Sequence, residues 1–143
     1  MTKRMLLALM AMAGVAIATY LTLYKTGAIG ELACSVGSCE TVNTSRWSVL
    51  FGFPVAAWGL GFYVLVLAVT LLGVQERWSG SLGVSRLLVG LTSWGVLFSG
   101  WLTYLELFVI HAICIWCVTS AVLVVLMCAV SVLEFREQAA AHR

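Results

Sequence analysis

Four long apolar runs, Met5–Tyr24, Phe53–Gly73, Leu87–Leu107 and Ala112–Leu133, alternate with short polar breaks along the chain. Each has about the 20 residues that a helix rising about 1.5 Å per residue needs to cross a bilayer core. The pattern therefore predicts an all-α, integral membrane four-helix bundle. Outside the runs lie a short tail at each end, one substantial loop (25–52), a polar connector Val74–Arg86 and a hinge near Phe108–His111. That leaves no space for a soluble domain, so 1–143 reads as a single four-span membrane domain. The only proline, Pro54, stands where the loop re-enters the second run. A proline suits a first helical turn, since its missing N–H would be unpaired there. Gly52, Gly59 and Gly61, with Ala56 and Ala57, give the second helix a small-residue face. Such a face is expected to pack closely against a neighbouring helix, and it could also leave room for a flat ligand.

Composition settles the solvent. With 62% hydrophobic and 10% charged residues and a mean hydropathy of +1.06, the 143 residues exclude an ordinary water-soluble globule. No nucleic-acid partner is expected; membrane lipid is the surrounding medium.

Charge predicts orientation. Lys3, Arg4, Arg77, Arg86, Arg136 and Arg143 fall on the side of the two termini, whereas only Lys25 and Arg46 fall on the other. Positive charge stays cytoplasmic, so both termini are expected in the cytoplasm and the 25–52 loop outside, in a periplasm-like space where disulfides persist. Thr2-Lys3-Arg4 and Glu31-Leu32-Ala33-Cys34 also resemble parts of a secretory signal. The first apolar run is longer than the roughly 7–15 residues of a signal core, so it is read as a span.

The chemistry lies in cysteines. Cys34-Ser-Val-Gly-Ser-Cys39 occupies the first loop, and Cys114-Ile-Trp-Cys117 opens the last apolar run. Cysteines at i and i+3 share a helix face, and a helix start favours the nucleophilic thiolate. A redox pair competes here with a structural disulfide, half a metal site or two inert thiols. The small residues between Cys34 and Cys39 suit a mobile, accessible disulfide, against which stands a static loop staple. All four cysteines could also surround a tetrahedral zinc. Cys128, about 16 Å further along the fourth helix than Cys117, reads as a small packing residue.

Taken in order, the loop pair, then Cys39-Glu-Thr-Val-Asn-Thr-Ser45-Arg46-Trp47, then Phe51-Gly52-Phe53-Pro54-Val55 with Trp58-Gly59 and Tyr63, and finally Cys114-Ile-Trp-Cys117 resemble the vitamin K epoxide reductase family, in particular its bacterial branch. Unrelated four-span quinone-linked oxidases carry their C-x-x-C first and the other pair later. The resemblance implies a bundle around a quinone, with Cys114 and Cys117 as active-site pair and Cys34 and Cys39 as shuttle. It further implies that a reduced thioredoxin-like partner attacks a Cys34–Cys39 disulfide, that Cys39 then attacks Cys114, and that Cys117 remains as the thiolate facing the quinone. Ser45 matches the family's serine after the loop pair and could hydrogen-bond across the site or cap a helix. Glu106 and His111 are the titratable groups nearest the thiols, as proton donors to the quinone or as interfacial caps of the hinge. Trp47, Trp58, Trp94, Trp101 and Trp116 could line a quinone pocket, although interfacial belts are expected to claim most of them. Tyr63, Trp58 and Trp116 complete the expected cofactor-binding set.

Departures matter too. The animal enzymes carry an asparagine on the second helix and a tyrosine after C-x-x-C, where this chain has Pro54-Val55-Ala56-Ala57 and Val118-Thr119-Ser120-Ala121. Epoxide reduction is therefore not expected. Bacterial relatives often carry a fused thioredoxin-like domain; here the partner is expected to be a separate periplasmic protein. The expected function is a quinone-dependent thiol oxidoreductase of the bacterial inner membrane, using ubiquinone, menaquinone or vitamin K. A soft-metal transporter or sensor built on the same cysteine pairs is the alternative from another class, and a structural protein stapled by disulfides is a third.

Overall fold

Among the residues described by the computed structural model (2–25, 46, 49–78, 80–112 and 114–142), four helices are long and apolar enough to cross a membrane. They are α1 (Thr2–Lys25), α2 (Val55–Val74), α3 (Leu82–Tyr104), prolonged by a π-helical turn over Leu105–Ile110, and α4 (Ile115–Ala141). A two-residue hairpin, β1 (Val49–Leu50) and β2 (Phe53–Pro54), precedes α2. Cys34, Cys39, Ser45 and Trp47 lie outside the described residues.

The helix ends differ from the apolar runs for identifiable reasons. Helix α3 starts at Leu82, not Leu87, because the Ser81 hydroxyl accepts the Val84 N–H at 3.4 Å and caps it. Helix α4 continues past Leu133 to Ala141 because its polar end finds partners on α1. Glu134 pairs with Arg4, and Glu137 pairs with Lys3 at 2.7 Å. Pro54 is the residue before α2, and also the last of β2. The hairpin turns through Phe51 (φ 54°) and Gly52 (φ 82°), the two positive φ values that a tight two-residue connection requires.

Arg4 fixes the relative direction of the helices. Its guanidinium reaches Gly73 at the end of α2, Ser85 at the start of α3 and Glu134 late in α4. Beginnings of α1 and α3 therefore meet ends of α2 and α4, the arrangement of an antiparallel bundle. Helix α1 packs on α2 and α4, and α3 packs on α4 and α2.

Lipid supplies no hydrophobic drive between helices, so close contact rests on small residues and shape. On α1, Leu7, Ala11, Gly14, Ala18 and Leu21 are buried at alternating spacings of four and three. They face a core that contains Tyr63, Val66, Val69, Leu88, Val124 and Met127. Close approaches occur at Gly14, where a methyl group would overlap the Tyr63 ring, at Gly95, where it would overlap Phe62, and at Gly73, where it would press on Val84. This corrects the expectation for α2: among the described residues, a side chain at Gly52, Gly59 or Gly61 would meet nothing within 4 Å. Several threonine hydroxyls inside the spans satisfy themselves locally. Thr22, Thr70 and Thr92 each donate to the carbonyl four residues back at 2.7 Å, and Thr103 and Thr119 do so at 2.8 Å.

Candidate functional site

Cys114 and Glu134 are separated by 20 residues of α4, about 30 Å along the axis, so the thiol pair and the Arg4 cluster occupy opposite ends of the bundle. Cys114 is the N-cap of α4 (φ −103°, ψ 119°) and is fully buried beside Leu21. Its carbonyl accepts the first helical bond from Val118 at 3.0 Å. Cys117 follows one turn later on the same face, and the two sulfurs are hydrogen-bonded to each other. That bond is the main reason why the Cys114 thiol falls from its ordinary 9.0 to about 7. Burial opposes the fall, while the N–H groups of Cys117 and Trp116, exposed at the helix start, assist it. The helix start and the neighbouring sulfur thus favour the Cys114 thiolate.

The π-helical turn before α4 holds the third member of the site. Its wider coil lets one carbonyl, that of Glu106, accept from both His111 and Ala112, the latter at 3.0 Å. His111 then reverses the chain in a left-handed conformation (φ 58°, ψ 34°). The result folds the start of α4 back over Glu106. The Glu106 carboxyl is buried, accepts the Cys114 N–H at 3.4 Å and is hydrogen-bonded to the Cys117 thiol. Such turns interrupt α-helices mainly where a site needs them. Besides its nearness to the thiols, Glu106 carries a second sequence signal: Ser85, Thr92, Ser99 and Glu106 recur every seven residues.

Beside Cys117 and Glu106 lies a cavity of about 520 Å³, bounded by all four helices and by the hairpin. Its walls are mainly apolar and aromatic, with Trp58 and Phe62 from α2 and Trp94, Phe98 and Trp101 from α3. Leu50 and Phe51 of the hairpin cover one side. The hairpin is held there by the Trp58 indole N–H, which donates to the Leu50 carbonyl at 2.9 Å, and by edge contacts of Trp58 with Phe51 and Phe53. Trp94 and Trp58 are also 62% and 45% exposed, so the cavity opens sideways, toward lipid, along the seam between α2 and α3. Gly59 lines it as well, and its missing side chain is part of the space.

Of the residues singled out in the sequence, the structure gathers Trp58, Tyr63, Glu106 and Cys117 around this cavity, with Cys114 just behind the last two. Trp116 and His111 are not among its lining residues. Trp116 packs against Tyr20 with ring centroids 5.3 Å apart, and His111 is exposed on the turn. Trp58, Trp94 and Trp101 line the cavity and are also exposed on the outside of the bundle. Ser99, Thr103 and Ser120 were missed and line it too. Cys128 sits away from the site, with its sulfur 3.8 Å from the Ser93 hydroxyl.

An apolar cavity of this size, with few polar groups and a thiol at one end, has the character of a site for a small, mostly apolar molecule. Compared with known families, residues 5–132 match the sequence model of the vitamin K epoxide reductase family. The match spans all four helices and the thiol pair, and a dithiol placed against a lipid-facing cavity is the kind of site that membrane thiol oxidoreduction needs. By that match the chain belongs to the vitamin K epoxide reductase family.

Proposed function

We propose that this chain is a membrane thiol oxidase that reoxidises a thioredoxin-like, disulfide-forming partner and passes the electrons to a quinone in the bacterial inner membrane. The observation that carries this is the position of Cys117 and Glu106 together in the wall of the cavity, with Cys114 bonded to both. The preponderance of Lys and Arg on the side of the termini supports a cytoplasmic location for them and an outward one for the thiols.

In the proposed cycle the partner's dithiol reduces a Cys34–Cys39 disulfide, and the freed Cys39 thiol attacks a Cys114–Cys117 disulfide through a mixed disulfide. Two electrons and two protons thereby arrive on Cys114 and Cys117. Trp58, Trp94, Phe98 and Trp101 would hold the quinone, which when bound accepts that pair of electrons and both protons as the disulfide closes again. Cys117 brings its thiol proton to the cavity wall, with Cys114 behind it. Glu106 is placed to take that proton from Cys117 and hold it beside the cavity, so that no charge has to cross the apolar wall.

Purified protein supplied with a small dithiol and a short-chain quinone should turn over. Cys117→Ser should reduce that rate at least 100-fold, and Cys34→Ala should lose turnover with the protein partner while keeping it with the small dithiol. Unchanged turnover in Cys117→Ser would refute the proposal, and equal loss with both reductants would refute the shuttle role of the loop pair.

A further inference from the structure

At the end of the bundle remote from the thiols, two buried oxygens lack a hydrogen-bond partner among the described residues: the Ser131 hydroxyl and the Oε2 of Glu134. Both side chains are deep, Ser131 at 1% exposed and Glu134 at 5%. They continue the buried face of α4 after Val124 and Met127, and a separation of three residues puts them one above the other on that face.

The threonines of the spans show what Ser131 forgoes. Thr22, Thr70, Thr92, Thr103 and Thr119 each donate to the carbonyl four residues back, a bond within reach of any hydroxyl inside a helix. Ser131 does not make it. A buried oxygen left without a partner costs its full desolvation, which is why nearly all such atoms in folded proteins are bonded to protein or to ordered water.

One small occupant satisfies both atoms. Side chains three residues apart on a helix have Cβ atoms about 5–6 Å apart, and a water molecule with two hydrogen bonds of about 2.8 Å bridges up to about 5.6 Å. The hydrogens balance too. The Glu134 carboxylate, paired with Arg4, can only accept, so the water donates to its Oε2, while the Ser131 hydroxyl donates to the water oxygen. A metal ion does not suit the place: it needs more ligands than these two oxygens, and the Arg4 guanidinium already faces the same carboxylate.

We infer that Ser131 and Glu134 form a binding site for one ordered water. The water completes the acceptors of Glu134 and carries the Arg4 cluster one turn deeper into the bundle. An unbroken run of hydrogen bonds then leads from the Gly73, Trp78 and Ser81 carbonyls through Arg4, Ser85 and Glu134 to the water and Ser131. Buried waters of this kind are part of the fold and are costly to remove.

Ser131→Ala tests the site by the sign of its effect. With the water in place, the substitution strips it of a partner, and the folding equilibrium constant in mixed micelles should fall about three- to tenfold, although alanine is the better helix former. An unpaired hydroxyl would give the opposite result: its removal relieves a buried polar atom, and the constant should rise about fivefold or more. A rise, or no change, would overturn the water site. A crystal structure of the wild type grown from a lipid mesophase gives a reading independent of any variant's folding. Density for a single water within about 3.2 Å of both Ser131 Oγ and Glu134 Oε2 is expected. Its absence, or a direct bond between the two side chains, would overturn the inference. Neither measurement involves the thiols or a quinone, so the result stands apart from the proposed function.

Discussion

Removing Arg4 should cost far more than removing the charge of its partner, Glu134. All five N–H donors of the Arg4 guanidinium have an acceptor. Nε donates to Glu134; one terminal nitrogen to the carbonyls of Gly73 and Trp78, the latter at 3.0 Å; the other to the Ser81 carbonyl at 3.4 Å and the Ser85 hydroxyl at 3.2 Å. Glu134 is less well served. One of its oxygens accepts from Arg4 and, at 3.2 Å, from Ser85, while the other is buried with no hydrogen-bond partner among the described residues. In Arg4→Met the carboxylate is left buried with a single hydroxyl, and breaking a buried pair in this way costs about 3–5 kcal/mol. In Glu134→Gln the guanidinium keeps its carbonyl and hydroxyl acceptors and exchanges a charged bond for a neutral one, about 1–2 kcal/mol. Replacing both residues by Met removes the stranded charge, so the double variant should be destabilised by less than Arg4→Met alone. Equilibrium unfolding in mixed micelles, followed by circular dichroism, measures all three. Lys3→Ala serves as control: the Lys3–Glu137 pair is 36% and 65% exposed, and such pairs contribute about 0–1 kcal/mol. Equal losses in Arg4→Met and Glu134→Gln, or a double variant that loses as much as Arg4→Met or more, would refute this account.

Two further outcomes follow from the site. The thiolate absorbance lost in Cys114→Ser should titrate in the wild type with a midpoint near pH 7: a thiol pulled below its ordinary 9.0 is ionised at mildly alkaline pH, about half ionised at neutrality and protonated as the pH falls below about 7. The negative charge of Glu106 opposes ionisation of Cys114, so Glu106→Gln should move that midpoint to lower pH, and an upward move would contradict the assigned contact. Gly14→Ala should displace the Tyr63 ring and cost about 1–3 kcal/mol by overpacking, whereas Gly61→Ala, with open space around it, should be near neutral; equal melting temperatures for the two would refute the packing described.

The four spans were legible because length and apolarity are one-dimensional properties that a bilayer reads directly. The cysteine pair at the start of α4 and its nearest carboxyl were legible from spacing. What escaped depends on which face of a helix meets which neighbour. Gly59 and Gly61 looked like a packing face because small residues often are one; only the three-dimensional arrangement reveals that the close contacts fall on Gly14, Gly73 and Gly95 and that Gly59 borders empty space. The tryptophans posed the same difficulty: an indole at the right depth serves a belt or a cavity equally well, and here Trp58 and Trp94 face both cavity and lipid. Arg4 read as one more orienting charge, yet it is 1% exposed, because the Gly73, Trp78 and Ser81 carbonyls that surround it belong to segments distant in sequence. Helix α4 outran its apolar run for the same reason, as Glu134 and Glu137 are matched by residues at the start of α1.

The π-helical turn makes the spacing between Glu106 and Cys114 a constraint of its own. Eight positions separate the carboxyl from the amide that it accepts, and the wider coil consumes one more of them than a regular helix would. Losing one residue from 107–110 would swing the two partners about 100° apart around the axis. A residue added to or taken from the connector around Glu76 should do little harm to the thiol end. In this short stretch, chain length is under stricter control than side-chain identity, and an insertion there would disable the protein even if every residue named above were retained.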